Sequence, residues 1–442
     1  MIDERALIDY VTAQRWFGSK TREVVHARTI DSALLRELEP RCAIELVEIA
    51  FDTGLHETYQ LLRVLDADGL DGLADPVLAR ELVRAMRAGL TLQGEHGVLD
   101  FRPLEGFAAL GTELTQARPI ESEQSNSSIV FDEELILKVF RRLEPGINPE
   151  LELLRFLTEH GFENIAQLGG WYSYSGEQMD STLGVLQQFV RDGEDGWELA
   201  LRELKEAPER FLGRLRRLGE VTGRMHTVLG SDASDPNFAP EEPSNEALGL
   251  LTATVDEQIE RIFLELPEDN EALAPIRGRA EEVREQLRLF THLGPVGRVI
   301  RHHGDFHLGQ TLWAADDWVI LDFEGEPARS LAERRRKRSP LRDVAGMLRS
   351  FAYAASAAEL QLGVKAPPGW ERRARDEFLA GYRATVDPAL LPPSESAMYR
   401  LLAVFELEKA VYELRYELDN RPEWVGIPVA GIVRLLEENA PE

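Results

Sequence analysis

His303-Gly304-Asp305-Phe306-His307-Leu308-Gly309-Gln310, followed by Val319-Ile320-Leu321-Asp322-Phe323-Glu324, is the stretch on which the reading of this chain turns. Short strand signals at Val296 to Arg301 and Trp318 to Phe323 frame it. An Asp therefore follows one strand, an amide side chain comes five positions on, and a second Asp ends the next strand. This order suits phosphoryl transfer. The transferred group needs little covalent help, but it needs a carboxylate to take the acceptor hydroxyl's proton and Mg²⁺ held by oxygen ligands. Asp305 suits the base, Gln310 and Asp322 suit the metal, and Glu324 is a further candidate ligand. His-Gly-Asp alone is common in loops; the ordered pair of motifs carries the inference.

Composition bounds what surrounds this motif. A chain of 442 residues has room for two to four domains at roughly 100–200 residues each. With 43% apolar and 29% charged residues it reads as ordinary globular protein. A net charge of −28 repels nucleic acid and anionic membrane, which are bound through clustered Lys and Arg. The single Cys42 excludes an internal disulfide and a cysteine-pair zinc cluster, so a reducing, cytoplasmic location is expected. No run approaches the ~18 apolar residues of a spanning helix. Met1 to Arg5 reads as the first turn of a helix rather than a signal peptide.

Outward from the motif the chain falls into three parts. Residues 1–100 read as a small mixed domain: a helix from Glu4 to Gln14, strands Cys42 to Phe51 and Glu57 to Leu65 around an Asp52-Thr53-Gly54 turn, and a helix from Leu78 to Leu90. Arg15-Trp16-Phe17-Gly18 reads as an aromatic patch packing the first helix onto the strands. Residues 111–190 form a strand-rich lobe, with strands at Ile120 to Val130, Leu135 to Phe140 and Thr182 to Val190. Asn148-Pro149 opens a helix there, with Asn as cap and Pro at the first helical position. Residues 191–442 are mostly helical, with apolar residues three and four apart over Phe211 to Leu229, Ala247 to Leu266 and Ile276 to Phe290.

The Asp305-x-x-x-x-Gln310 spacing resembles the H-R-D-x-x-x-x-N catalytic loop of the eukaryotic-like kinase superfamily, and Asp322-Phe323-Glu324 takes the place of D-F-G. Gly in place of the loop Arg points to the aminoglycoside-phosphotransferase branch, whose members phosphorylate small molecules. Gln replaces the metal-binding Asn and offers the same carbonyl oxygen one methylene further out. Glu replaces the Gly after Asp-Phe. The resemblance narrows to the maltokinase family through Arg141-Arg142-Leu143-Glu144-Pro145-Gly146, Asp322 to Pro327 with Arg334-Arg335-Arg336, Ser339 to Leu348, and Glu408 to Glu417 with Asn420-Arg421-Pro422-x-Trp424. Actinobacterial glucosamine kinases are built on a similar plan.

The resemblance implies an α+β, bilobal kinase fold with an extra N-terminal cap subdomain on the strand-rich lobe and a helical C-terminal lobe. It implies ATP and Mg²⁺ as cofactors and transfer of the γ-phosphate to maltose, giving maltose 1-phosphate. It further implies a monomer feeding α-glucan synthesis, with trehalose synthase as pathway partner. The alternative is glucosamine kinase, giving glucosamine 6-phosphate. Lys138 becomes the candidate partner of the α- and β-phosphates, with Glu152 as its ion-pair partner and Glu150 as runner-up. The stretch Glu123 to Ser128 lacks the G-x-G-x-x-G pattern, so Ser125, Ser127 and Ser128 would serve the phosphates. Gln187 to Val190 falls at the adenine hinge.

On the acceptor side the candidates are His303, Arg342, Lys409, Tyr412, Glu413, Tyr416 and Trp424. Lys409, Tyr412, Glu413 and Tyr416 share a helical face, and two aromatics among polar groups suit a pyranose. The same stripe also reads as a solvated face with its tyrosines on the core. An amino sugar would call for an extra carboxylate, which Glu413, Glu417 or Asp419 could supply. Arg342 and Asp343 are expected to brace the loop as a buried ion pair, His307 to orient Asp305, and His226 to be a packed helical residue. Arg334 to Arg338 reads either as a solvated loop pinned by acids such as Glu333 or as a holder of phosphate or product.

Overall fold

The computed structural model describes residues 3–66, 70–105, 114–120, 125–290, 296–327 and 329–438. The chain forms two compact units, residues 1–192 and 193–442.

The first unit is built on two antiparallel sheets. In the four-stranded sheet, Val24–Arg36, Cys42–Phe51, His56–Val64 and Arg142–Leu143 lie side by side in that order. Helix Glu4–Ala13 buries Leu7 and Val11 against it, and Trp16 and Phe17 complete the same core with Val47, Ile49, Phe51 and Tyr59. The aromatic patch after the first helix is therefore a packing anchor. The second sheet has seven strands, in the order Thr91–Gln93, Gly97–Pro103, Leu168–Gly176, Asp180–Gln188, Leu135–Phe140, Asn126–Phe131 and Ala117–Ile120. The Ile120 to Val130 strand signal thus resolves into the last two of these, and residues 121–124 lie outside the described residues.

Helix starts in this unit follow capping chemistry. Asp75 accepts a hydrogen bond from the Val77 N–H at 2.7 Å to open Pro76–Ala88, and Asn148 accepts one from Glu150 N–H at 2.8 Å to open Pro149–Glu159. Two strands escape hydrophobic periodicity. Val24–Arg36 buries only Ala27, Asp31 and Ala33, which are small or polar. Leu168–Gly176 is rich in Gly and Ser, which weaken the sequence signal of a strand.

The second unit is helical apart from a three-stranded sheet of Glu194–Asp195, Thr311–Ala314 and Asp317–Ile320. Helices Pro208–Leu229 and Trp370–Thr385 pack with their backbones close: a side chain at Gly219 would collide with the Phe378 carbonyl, and one at Gly381 with that of Arg216. A separate core gathers Ile259, Leu407, Val411, Leu414 and Ile432 from helices Asn245–Leu264, Glu395–Asn420 and Gly426–Glu438. The strand signal at Val296 to Arg301 yields only isolated bridges, Val299 with Glu241 and Ile300 with Arg338. The helical signal from Ile276 begins at Ala280, after Gly278 turns the chain at a φ of 76°. Among the described residues no helix is long and apolar enough to cross a membrane.

Candidate active site

In the second unit one buried carboxylate fixes the His303–Gln310 loop from beneath. Asp343, in the first turn of helix Leu341–Leu362, is 2% exposed and accepts hydrogen bonds from the backbone N–H groups of His303 at 2.8 Å and Gly304 at 2.9 Å. His226 Nε2 lies 3.1 Å from the same carboxylate, and His226 Nδ1 lies 3.0 Å from the Tyr382 hydroxyl. With the Tyr382 O–H donating to Nδ1, the Nε2–H is left to donate to Asp343. Burial alone would raise the Asp343 pKa. The nearby His302, and His226 through its hydrogen bond, hold it well below the usual carboxylate range. Helix Leu341–Leu362 can come this close because residue 346 is Gly: a Cβ there would stand 2.7 Å from the Phe306 carbonyl oxygen.

The loop's own residues answer to this anchor. Gly304 has a φ of 88°, in the left-handed region, and a Cβ on it would lie 3.3 Å from Gly325 Cα. The residue before the candidate base must therefore be small and left-handed for the loop to meet the segment after Asp322. His303, expected on the acceptor side, is buried: its Nε2 sits 2.8 Å from the Leu321 carbonyl oxygen and its ring packs between Phe306 and Phe323. It ties the two motif segments together from inside.

Asp305 is left half-exposed, with Lys409 Nζ 3.4 Å from Oδ1. His307 Nε2 is 3.9 Å from Oδ2, too far for a hydrogen bond, while His307 Nδ1 accepts from the Gly309 N–H at 3.1 Å. His307 thus shapes the turn rather than gripping the Asp305 carboxylate. Gln310 Nε2 donates to Asp322 Oδ2 at 3.0 Å, which brings both expected metal ligands to one point. Asp322 itself adopts a φ of 57°, uncommon for a residue with a side chain and more frequent at functional positions. Two carboxylates and an amide oxygen are hard donors of the kind Mg²⁺ takes, so the set Gln310, Asp322 and Glu324 fits that ion by chemistry.

A cavity of about 80 Å³ opens at Asp305, walled by Glu326, Arg329, Arg342, Glu408, Lys409 and Tyr412. Its carboxylates are all committed. Glu326 pairs with Lys409 at 3.2 Å and with Arg329; burial opposes its charge, but these two cations hold its pKa down to about 2. Glu408 pairs with Arg342 at 2.7 Å. Glu333 accepts from the Ser330 hydroxyl at 2.8 Å. Lys409 stays charged in spite of burial, because Asp305, Glu326 and Glu413 push its pKa up.

Several expected roles change. Arg342 does not pair with Asp343: it reaches Glu408, and Asp343 braces the loop through backbone N–H groups instead. Glu413 is spent on the buried Arg349, at 2.7 Å, so it faces the core and not an acceptor. Trp424 is buried, stacked on Tyr353 with the Arg421 guanidinium over its ring, and offers no platform. Tyr416 is exposed beside Arg421. Of the acceptor-side candidates, Arg342, Lys409 and Tyr412 meet Asp305 at the cavity. Glu326, Arg329 and Glu408 were missed as site residues, although Glu326 lies four positions after Asp322 and Glu408 adjoins Lys409.

In the first unit, Lys138 is in register with Ser128 on one neighbouring strand and Val185 on the other. Its Nζ donates to Glu150 Oε2 at 2.6 Å, so the ion pair goes to Glu150 and not to Glu152. Glu150 follows Pro149 in the first turn of its helix and is 2% exposed. The Gln187 side chain, expected at the adenine hinge, donates to Glu150 Oε1 at 3.1 Å and so holds that carboxylate in place. Val190 lies just beyond the end of its strand and is half-buried. Ser127 accepts from Arg141 Nε at 2.7 Å, Ser128 is buried and Ser125 is exposed; Glu123 and Gln124 lie outside the described residues.

Residues 116–378 match a family described as "Phosphotransferase enzyme family". The chain belongs to that family. It is an enzyme of the phosphotransferase kinase class. Residues 10–91 match the maltokinase N-terminal cap domain, and the fold is kinase-like with that cap. The chain is similar to the glucosamine kinase of Mycolicibacterium smegmatis, 26% identical over 340 residues that cover 73% of this chain and 80% of that one. It is also similar to the glucosamine kinase of Streptacidiphilus jiangxiensis, 25% identical over 349 residues covering 76% of each. A solved glucosamine kinase in complex with glucosamine, ADP and inorganic phosphate shares the fold, with a TM-score of 0.75, 21% identity and coverage of 97% of this chain and 98% of that one.

The charge balance under the loop sets a pH dependence. Burial first, and only partly offset by Asp343, holds His302 neutral with its pKa down to about 3. The unfolded chain binds that proton near pH 6.5, so His302 costs stability as pH falls from there toward 3. Lowered Glu326 and Asp343 act with the same sign, but only once pH drops below about 4.5. Urea unfolding at pH 7, 6 and 5 is expected to show wild-type stability falling with acid. His302→Asn should flatten that fall by up to ~1.4 kcal/mol per pH unit. Equal slopes for the two proteins would contradict the buried neutral assignment.

Proposed function

We propose that the chain is an ATP-dependent sugar kinase that transfers the γ-phosphoryl group to maltose and releases maltose 1-phosphate and ADP. The observation that carries the reading is the cavity at Asp305, where Lys409, Tyr412 and a ring of cation-paired carboxylates face the candidate base. The match of residues 10–91 to the maltokinase cap supports the choice of sugar.

In this mechanism the acceptor hydroxyl oxygen attacks the γ-phosphorus, the bond to the β-phosphate bridging oxygen breaks, and ADP leaves. Asp305 takes the hydroxyl proton. Lys409, 3.4 Å from Asp305 Oδ1, orients that carboxylate and offsets charge beside it. Gln310, Asp322 and Glu324 would hold Mg²⁺, which when bound neutralises phosphate charge. Lys138, fixed by Glu150, is assigned to the α- and β-phosphates. Ser125, Ser127, Ser128 and the segment Gln187 to Val190 complete the nucleotide side. We take residues 1–100 as the cap, 111–190 as the nucleotide lobe and 191–442 as the acceptor lobe. On this reading the enzyme works as a cytoplasmic monomer, and trehalose synthase shares its pathway.

The second reading is glucosamine kinase, favoured by the names of the relatives. Glucosamine carries an ammonium group that needs an uncommitted carboxylate. The carboxylates lining the cavity are engaged by Lys409, Arg329, Arg342, Ser330 or the loop's own N–H groups, and Arg338 adds further positive charge. A neutral sugar meets no such conflict.

Two substitutions test the assignments. Asp305→Asn is expected to lower maltose-dependent ADP release by about 10²–10⁴-fold while Mg-ATP affinity, measured calorimetrically, stays within about threefold. Loss of nucleotide binding together with turnover would contradict the base role. On the nucleotide side, Glu150→Gln should raise KM for ATP about tenfold, the equivalent of ~1.4 kcal/mol, whereas Glu152→Gln should leave it nearly unchanged. The reverse ranking would contradict the Lys138–Glu150 assignment.

A further inference from the structure

A second and larger cavity, of about 640 Å³, adjoins the one at Asp305 and shares Arg329, Arg338 and Arg342 with it. Seven of its fifteen lining residues are Arg or Lys and three are Glu, in a chain whose net charge is −28. A cavity of that sign on so acidic a protein is the opposite of what an even distribution of charge would give.

The basic run divides by function. Lys337 is a structural pin: its Nζ donates to the carbonyls of Pro236 and Ala239, both at 2.7 Å, and to Glu241 at 2.5 Å. Its neighbours differ. Among the described residues, the guanidinium groups of Arg336 and Arg338 make no hydrogen bond or ion pair, although both line the cavity. The Arg338 backbone is held firmly, exchanging two hydrogen bonds of 2.9 Å with Ile300. Arg342 spends Nη2 on Glu408 and leaves Nη1 buried without a partner. The three carboxylates of the wall are already taken by Lys337, Ser330 and Arg342. Burial, Arg342 and Arg329 together push the Arg338 pKa down against the opposing pull of Glu408, which marks a crowding of like charge. Clustered, partly desolvated guanidiniums with open donors are the groups that recognise phosphate oxygens.

We propose that this cavity is a binding site for a phosphate-bearing small molecule, held by Arg336, Arg338 and Arg342. The assignment stands apart from the choice of acceptor sugar. The ligand's phosphate is the recognised group, and it could be carried by a phosphorylated sugar or be inorganic phosphate itself.

The test is calorimetric titration of the full-length protein at low ionic strength with inorganic phosphate and, separately, glucose 1-phosphate. A non-hydrolysable ATP analogue and Mg²⁺ are kept saturating, so that the nucleotide site does not compete. Saturable binding of at least one probe is expected, and Arg336→Ser/Arg338→Ser should weaken it about tenfold or more. Arg336→Ser alone, at an exposed position, should weaken it severalfold and covers the case in which the double variant does not fold. Glucose 1-phosphate binding about tenfold tighter than phosphate assigns the site to a sugar phosphate; equal affinities assign it to phosphate alone. No saturable binding of either probe to the wild type would overturn the proposal. So would binding that both folded variants retain in full, or glucose 1-phosphate binding that maltose displaces and Arg336→Ser does not alter.

Discussion

Asp343 holds two backbone N–H groups and a histidine at once, out of contact with solvent. A buried carboxylate is costly unless every one of its acceptor positions is used. Here the donors come from the loop that carries Asp305, so the condition that keeps Asp343 charged is the one that sets the loop's conformation. The constraint then spreads. His226 must keep its Nε2 proton toward Asp343, which requires Tyr382 at Nδ1. Gly304 must be left-handed, and Gly346 must lack a side chain for the helix to approach. His303, turned inward by the same loop, fastens the segment leading to Asp322.

Above that anchor, charge is matched group by group. Lys409 lies between Asp305 and Glu326, Arg329 between Glu326 and Glu408, and Arg342 completes Glu408. A neutral polyhydroxyl acceptor can exchange hydrogen bonds with such a ring without breaking an ion pair. An ammonium group would instead add a further positive charge beside Lys409, Arg329 and Arg342. Beyond the ring, among the described residues, the Arg336 and Arg338 guanidinium groups make no close ion pair, and the adjoining cavity is lined by seven Arg and Lys side chains against three Glu.

Much of this was legible in the sequence where local chemistry decides. The Asp305/Gln310 and Asp322 spacing, the Asn148-Pro149 helix start and the Leu135–Phe140 strand with its central Lys are all local signals, and the structure brings Gln310 and Asp322 together. Partner choice was not legible. Glu150 and Glu152 are both acidic residues of one helical turn, and only the placement of that helix gives Lys138 to Glu150. Helical spacing put Glu413 beside Lys409 and Tyr412, but the buried Arg349 that claims Glu413 lies 64 positions away. Trp424 and His303 likewise look like ligands in a motif and prove to be packing residues once their neighbours are known. Strands poor in apolar alternation, such as Leu168–Gly176, are held by pairing on both sides rather than by their own pattern.

Selection of a neutral sugar by the paired carboxylates at Asp305 is tested by a competition between maltose and glucosamine at equal concentration with limiting ATP and Mg²⁺, read by ³¹P NMR. The phosphorus signal is expected to accumulate on the anomeric oxygen of maltose. Accumulation of glucosamine 6-phosphate in its place would contradict a preference for the neutral acceptor.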